Sequence, residues 1–191
     1  MPLDTTPLSP LRRTLAVVVM LLIFAGSLAA AQAVIALHPG SRFSAALPVK
    51  LLPALPPNFT LVQDGSDSIW LGPVAGKLRQ LCTSVEPAED SPTLASAKEN
   101  GLDILREAGV VSSRESTGVL AGIPAVALVG AGRHPMAVLR TTVVDGHYVT
   151  IFLLADKQEY LGDVDLATFE SICQKSQILV NGRPYQPRRA P

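Results

Sequence analysis

Cys82 and Cys173 are the only thiols in this 191-residue chain, and a disulfide is the first chemistry their types allow. Cys82 falls on a predicted strand and Cys173 on the apolar stripe of a predicted helix. In an oxidising compartment a bridge between them would close a loop of about 90 residues and contribute roughly 3–4 kcal/mol through lost chain entropy. Two buried free thiols satisfy the same pattern, so both readings stand. No Cys-x-x-Cys occurs, which leaves thiol exchange without a local motif.

The three histidines lack ligand spacing. His38 stands at the end of an apolar N-terminal segment, while His134 and His147 fall at opposite ends of a predicted hairpin, roughly 25 Å apart at strand rise. No Gly-x-Ser-x-Gly elbow is present. Gly130-Ala131-Gly132 follows a strand, but His134-Pro135 and another strand come next in place of a phosphate-binding helix N-terminus, so it reads as a turn. Glu86, Glu89 and Asp90 cluster ahead of the first predicted helix, where they would meet the positive end of its dipole. Arg140 lies among apolar neighbours on a strand; it needs a carboxylate partner, a route for its stem to water, or a bound partner. Trp70, beside Ile69 near the start of the domain, is the other candidate for a binding contact. Asn58-Phe59-Thr60 fits the N-glycosylation pattern of a eukaryotic secreted protein. No catalytic, metal or cofactor constellation assembles from these groups; an enzyme would have to draw on the dispersed Arg140, His147 or Glu115.

The elements that must position these residues follow from periodicity. Residues 59–63, 68–71 and 78–85 read as strands, the first two separated by Asp64-Gly65. A helix follows, capped by Ser91 with Pro92 at its first position; Leu94, Ala97, Gly101, Leu102, Leu105 and Ala108 keep helical spacing, and Gly109 stops it. Further strands are predicted over 110–117, 123–129, 136–144 and 147–155. Asp145-Gly146 between the last two signals a two-residue type I′ hairpin. That turn fixes a register: Val144 opposite His147, Thr142 opposite Val149, Arg140 opposite Ile151, Val138 opposite Leu153 and Met136 opposite Ala155. Both faces of the hairpin are apolar, so it belongs inside a sheet covered on both sides, by helices or by a partner. A closing helix from about Asp165 sets Leu166, Phe169, Ile172, Cys173 and Ser176 along one stripe. The expected fold is α+β, an antiparallel sheet flanked by helices.

Ahead of this domain, residues 14–37 run without a charge behind Arg12-Arg13. At about 1.5 Å per residue the run exceeds the ~30 Å hydrocarbon core, which predicts a single transmembrane anchor with residues 1–13 cytoplasmic and the domain extracytoplasmic, on the periplasmic side. A cleaved signal is the competing reading, because Ala29-Ala30-Ala31 and Ala31-Gln32-Ala33 fit the small-x-small pattern and would release a secreted protein after Ala31 or Ala33. Against cleavage, the apolar run continues through Leu37. Residues 38–58 carry five prolines and read as a spacer, 59–180 as the domain, and 181–191, rich in proline and arginine, as a tail. Sixteen Lys and Arg offset sixteen Asp and Glu, with 14 against 15 beyond residue 37, so no basic field exists to attract nucleic acid.

Ile69-Trp70, the run VVDGHYVTIFLLAD and the final helix ending FESICQKSQI, in the order hairpin, strand, helix, strand meander and helix, resemble the PsbP/Mog1/DcrB-like fold family over about residues 59–178. Trp70 stands without the proline that many members carry three residues earlier. The resemblance implies binding more than catalysis, since such domains include accessory and assembly factors of membrane complexes. The functional expectation is a membrane-anchored, non-catalytic accessory or assembly subunit, in contact with the lipid bilayer and a membrane protein complex. A module holding a small apolar ligand between sheet and helix is the alternative.

Overall fold

The computed structural model describes residues 48–65, 67–88, 91–110, 113–130, 135–156 and 159–186. Ten strands form in chain order: β1 (Val49–Leu52), β2 (Thr60–Gln63), β3 (Asp67–Val74), β4 (Lys77–Pro87), β5 (Ser113–Leu120), β6 (Ile123–Gly130), β7 (Ala137–Val144), β8 (His147–Leu154), β9 (Gln177–Val180) and β10 (Arg183–Pro184). Helix α1 (Leu94–Glu107) joins β4 to β5, and α2 (Asp163–Lys175) joins β8 to β9. Seven strands make one sheet in the order β2-β3-β4-β8-β7-β6-β5, every neighbouring pair antiparallel. β1, β9 and β10 make a second, three-stranded sheet.

The β7–β8 hairpin holds the register expected from Asp145-Gly146, with Val144 opposite His147 and Arg140 opposite Ile151. Asp145 and Gly146 both take positive φ, 47° and 72°, as a type I′ turn demands. Successive residues then alternate between the two faces of the sheet. Leu128, Leu139 and Thr141 meet α1, whose Gly101 lies so close that an added Cβ would stand 3.0–3.2 Å from their side chains. On the other face Leu81, Val85, Val138, Val149, Ile151 and Leu153 pack with Phe169, Ile172 and Cys173 of α2 and with Val49, Leu51 and Ile178 of the small sheet. The sheet is therefore covered on both faces, which explains why its central strands read as apolar on both sides.

Several boundaries differ from the sequence expectation. Thr93, not Ser91, caps α1: the Thr93 side chain accepts from the Ser96 backbone N–H at 3.2 Å, and Ser96 Oγ accepts from the Thr93 N–H at 2.9 Å. Ser91 sits outside the helix with φ of 56°. The proline-rich spacer contributes β1, because no proline interrupts Val49–Leu52 and its alternate residues Val49 and Leu51 are buried. The tail assigned from residue 181 likewise contributes β10, which turns back on β9 through Asn181-Gly182, another pair with positive φ. α2 also begins earlier than expected, at Asp163. Residues 14–37 lie outside the described residues, among which no helix is long and apolar enough to cross a membrane.

Candidate functional site

Arg79 is a heavily engaged side chain among the described residues. Period-two alternation along β4 puts it on the face of Leu81 and Val85, so a guanidinium enters an apolar interior and must find carboxylates there. It does: Nε donates to Asp165 Oδ1 at 2.7 Å and Nη2 to Asp165 Oδ2 at 3.2 Å, a bidentate pair, while Nη1 donates to Glu159 Oε2 at 2.5 Å. The carbonyls of Leu78 and Tyr160 accept from Nη1 and Nη2 at 3.2 and 3.3 Å. Asp165 in turn accepts the Gly162 N–H at 2.9 Å, closing the first turn of α2. The hydrogen bond to Asp165, more than any other contact, raises the Arg79 pKa, so the group stays charged although fully buried. Its chemistry is that of a tie, fixing residues 159–165 to β4. Sequence reading missed it; the available signals were the arginine's shared face with Leu81 and the i, i+4 relation of Asp165 to Phe169.

Arg140 makes a second tie on the same face. Its Nη2 donates to Glu170 Oε2 at 2.7 Å, its Nη1 to the Leu139 carbonyl at 3.3 Å, and its guanidinium lies 5.8 Å from the centre of the Phe169 ring. The stem crosses β5 at Gly118, where a Cβ would fall 2.5 Å from Nε. Of the outlets open to a guanidinium among apolar neighbours, Arg140 takes a carboxylate, that of Glu170 on α2.

Cys82 and Cys173 are free. Cys82 pairs in register with Phe152, and Phe152 with Leu139, which faces α1; Cys173 belongs to the α2 side. The sheet stands between them, so of the two readings left open by the sequence the structure has the pair of buried free thiols. Burial pushes both thiols up to about 12, although Gln80 Nε2 donates to Cys82 Sγ at 3.1 Å. Both thiols are therefore expected to resist maleimide in the native protein at pH 7 and to label fully after denaturation without reductant, as read by intact mass. Incomplete labelling that reductant restores would contradict this.

The remaining candidates are not brought together. Arg140 and Glu115 project to opposite faces of the sheet, Glu115 meeting Lys98 of α1 at 2.9 Å. His147 closes the β7–β8 turn, its Nδ1 2.7 Å from the Asp145 carbonyl. Trp70 is half-buried against the α2-side core, paired with Leu81 and Leu61. Asn58 is exposed and donates to the Pro73 carbonyl at 3.0 Å. His38, Glu89, Asp90 and His134 lie outside the described residues. A shallow groove of about 800 Å³ runs between Ala54–Pro56 and the outer side of α2, lined by Val164, Ala167, Thr168 and Ser171.

Glu86, expected in a helix-capping loop, instead lies on β4, one residue before its end, opposite Tyr148, and accepts from Ser84 Oγ at 3.1 Å. Burial, with a smaller contribution from Asp67, raises its pKa. A carboxyl with a raised folded-state pKa contributes stability that is complete below the unfolded value and lost as pH rises through the folded one. Glu86→Gln is accordingly expected to melt higher than wild type at pH 7, with the difference shrinking towards pH 4. An unchanged difference across that range would contradict the assignment.

No protein-family model matches the chain, and no curated protein matches it. The fold is α+β, a mostly antiparallel sheet with two helices.

Proposed function

We propose that this chain is a membrane-anchored, non-catalytic accessory or assembly subunit of a membrane protein complex. The observation that carries the reading is the uncharged run of residues 14–37 behind Arg12-Arg13, long enough as a helix to cross the ~30 Å hydrocarbon core. On this reading the α+β domain stands at the extracytoplasmic surface, close to whatever else resides in that membrane. Within the domain, Arg79 and Arg140 are both engaged with carboxylates on or beside α2, so the interior charges serve cohesion and the outer surfaces are left for contact. The hairpins and two helices on one antiparallel sheet also support grouping the chain with PsbP/Mog1/DcrB-like domains, a family that implies accessory roles. Affinity purification of tagged, full-length protein from gently solubilised membranes tests the reading. Reproducible recovery of one complex is expected, and a lone monomer across several detergents would overturn it.

A further inference from the structure

The two edges of the seven-stranded sheet are built differently. β2 is four residues long, and its register on β3 slips between Leu61 and Gln63. Short, bulged strands discourage further pairing. β5, at the opposite edge, runs eight residues and pairs with β6 from Ser113 opposite Gly130 to Leu120 opposite Ile123 without a slip. It contains neither proline nor lysine, the residues that most often blunt an edge. Arg114, Glu115, Ser116, Thr117 and Val119 are exposed, and β5 is the terminal strand among the described residues. In an antiparallel pair, alternate residues turn N–H and C=O to one neighbour and the rest turn theirs away. β5 thus presents outward main-chain donors and acceptors at a repeat of about 6.8 Å, and the complement of such a row is another extended chain.

We propose that β5 is a docking edge that takes an extended segment of a partner protein as an additional strand. This rests on the accessory-subunit reading, which supplies the partner. A second copy of the chain is the poorer occupant. Pairing β5 with itself would double the seven-stranded sheet, past the ~10 strands at which twisted open sheets curl or split. A single partner segment adds one strand to the seven and stays within that range.

Full-length protein carrying the photo-cross-linker p-benzoylphenylalanine in place of Val119, or of Leu61 on the β2 edge, tests this in native membranes. These two side chains are comparably exposed, at 40% and 45%. The expected result is an adduct from position 119 whose cross-linked peptide maps to one segment of one other protein, with none from position 61. Ser116 and Thr117 turn their amides to opposite sides, so of Ser116→Pro and Thr117→Pro one removes an outward donor and the other a β6-bonded donor. The proline variant that keeps the wild-type melting temperature should lose the position-119 adduct at least tenfold; if both melt early, the comparison of positions 119 and 61 decides alone. The proposal is overturned if position 119 gives no adduct, if the adduct persists in the stable proline variant, if position 61 gives an equal yield, or if the adduct maps to this chain itself. Co-purification of a complex without the position-119 adduct removes this proposal and keeps the accessory reading, whereas the adduct without a stable complex does the reverse.

Discussion

Arg79→Ala is expected to lower folding stability by about 3–5 kcal/mol, because it strands Asp165 in the interior without its counter-charge. Arg79 is 1% exposed and Asp165 4%, so water cannot replace the lost partner without opening the α2 side of the core. Glu159, half-exposed, recovers solvation on its own and adds little to the loss. The double variant Arg79→Met, Asp165→Leu separates ionic cost from packing: it should recover most of the stability, short of about 1 kcal/mol for the Gly162 amide that Asp165 caps. Urea unfolding at pH 7 reads both values, with the slope against denaturant confirming that the transition stays two-state. An Arg79→Ala loss below about 1 kcal/mol, the range of an exposed pair, would contradict the buried tie.

Phe169→Ala should cost a similar amount, about 3–5 kcal/mol, from lost transfer energy and a cavity beneath α2. Phe169 is 1% exposed within the cluster that joins α2 to β4, β7 and β8, and Arg140 rests on its ring. Removing the ring also removes one wall of the Arg140 site. Phe169→Leu keeps most of the apolar contact and should lose well under half as much, so the pair of variants distinguishes packing from a general fault in the helix. Equal losses for alanine and leucine would point away from the cavity account.

What the sequence disclosed followed from local rules. Asp145-Gly146 fixed the β7–β8 register because a two-residue turn admits few alternatives, and the Phe169, Ile172, Cys173 stripe followed from helical spacing. The apolar character of both faces correctly implied cover on both sides. β1 was hidden because prolines at 48 and 53 dominate their neighbourhood, although they bracket Val49–Leu52 without entering it. β9 and β10 were announced by Asn181-Gly182, a hairpin signal as strong as Asp145-Gly146 but set among prolines and arginines that read as a tail. The Arg79–Asp165 tie joins residues 86 positions apart, and no local pattern pairs them. The sequence left the cysteines open between a bridge and free thiols for a related reason: whether Cys82 can reach α2 depends on which face of β4 that helix covers, a long-range fact. Arg140 was singled out for its apolar neighbours, and of the outlets left open, a carboxylate, a route to water or a bound partner, the structure has the carboxylate of Glu170.

The claim on which the functional reading depends is that residues 14–37 remain attached and hold the domain at the membrane. Alkaline extraction of native membranes, followed by intact-mass measurement of the recovered protein, tests it directly. The account predicts full-length chain in the membrane pellet. Soluble protein beginning at Gln32 or Val34 would contradict it, since cleavage after Ala31 or Ala33 would release the domain from the surface on which its proposed partner lies.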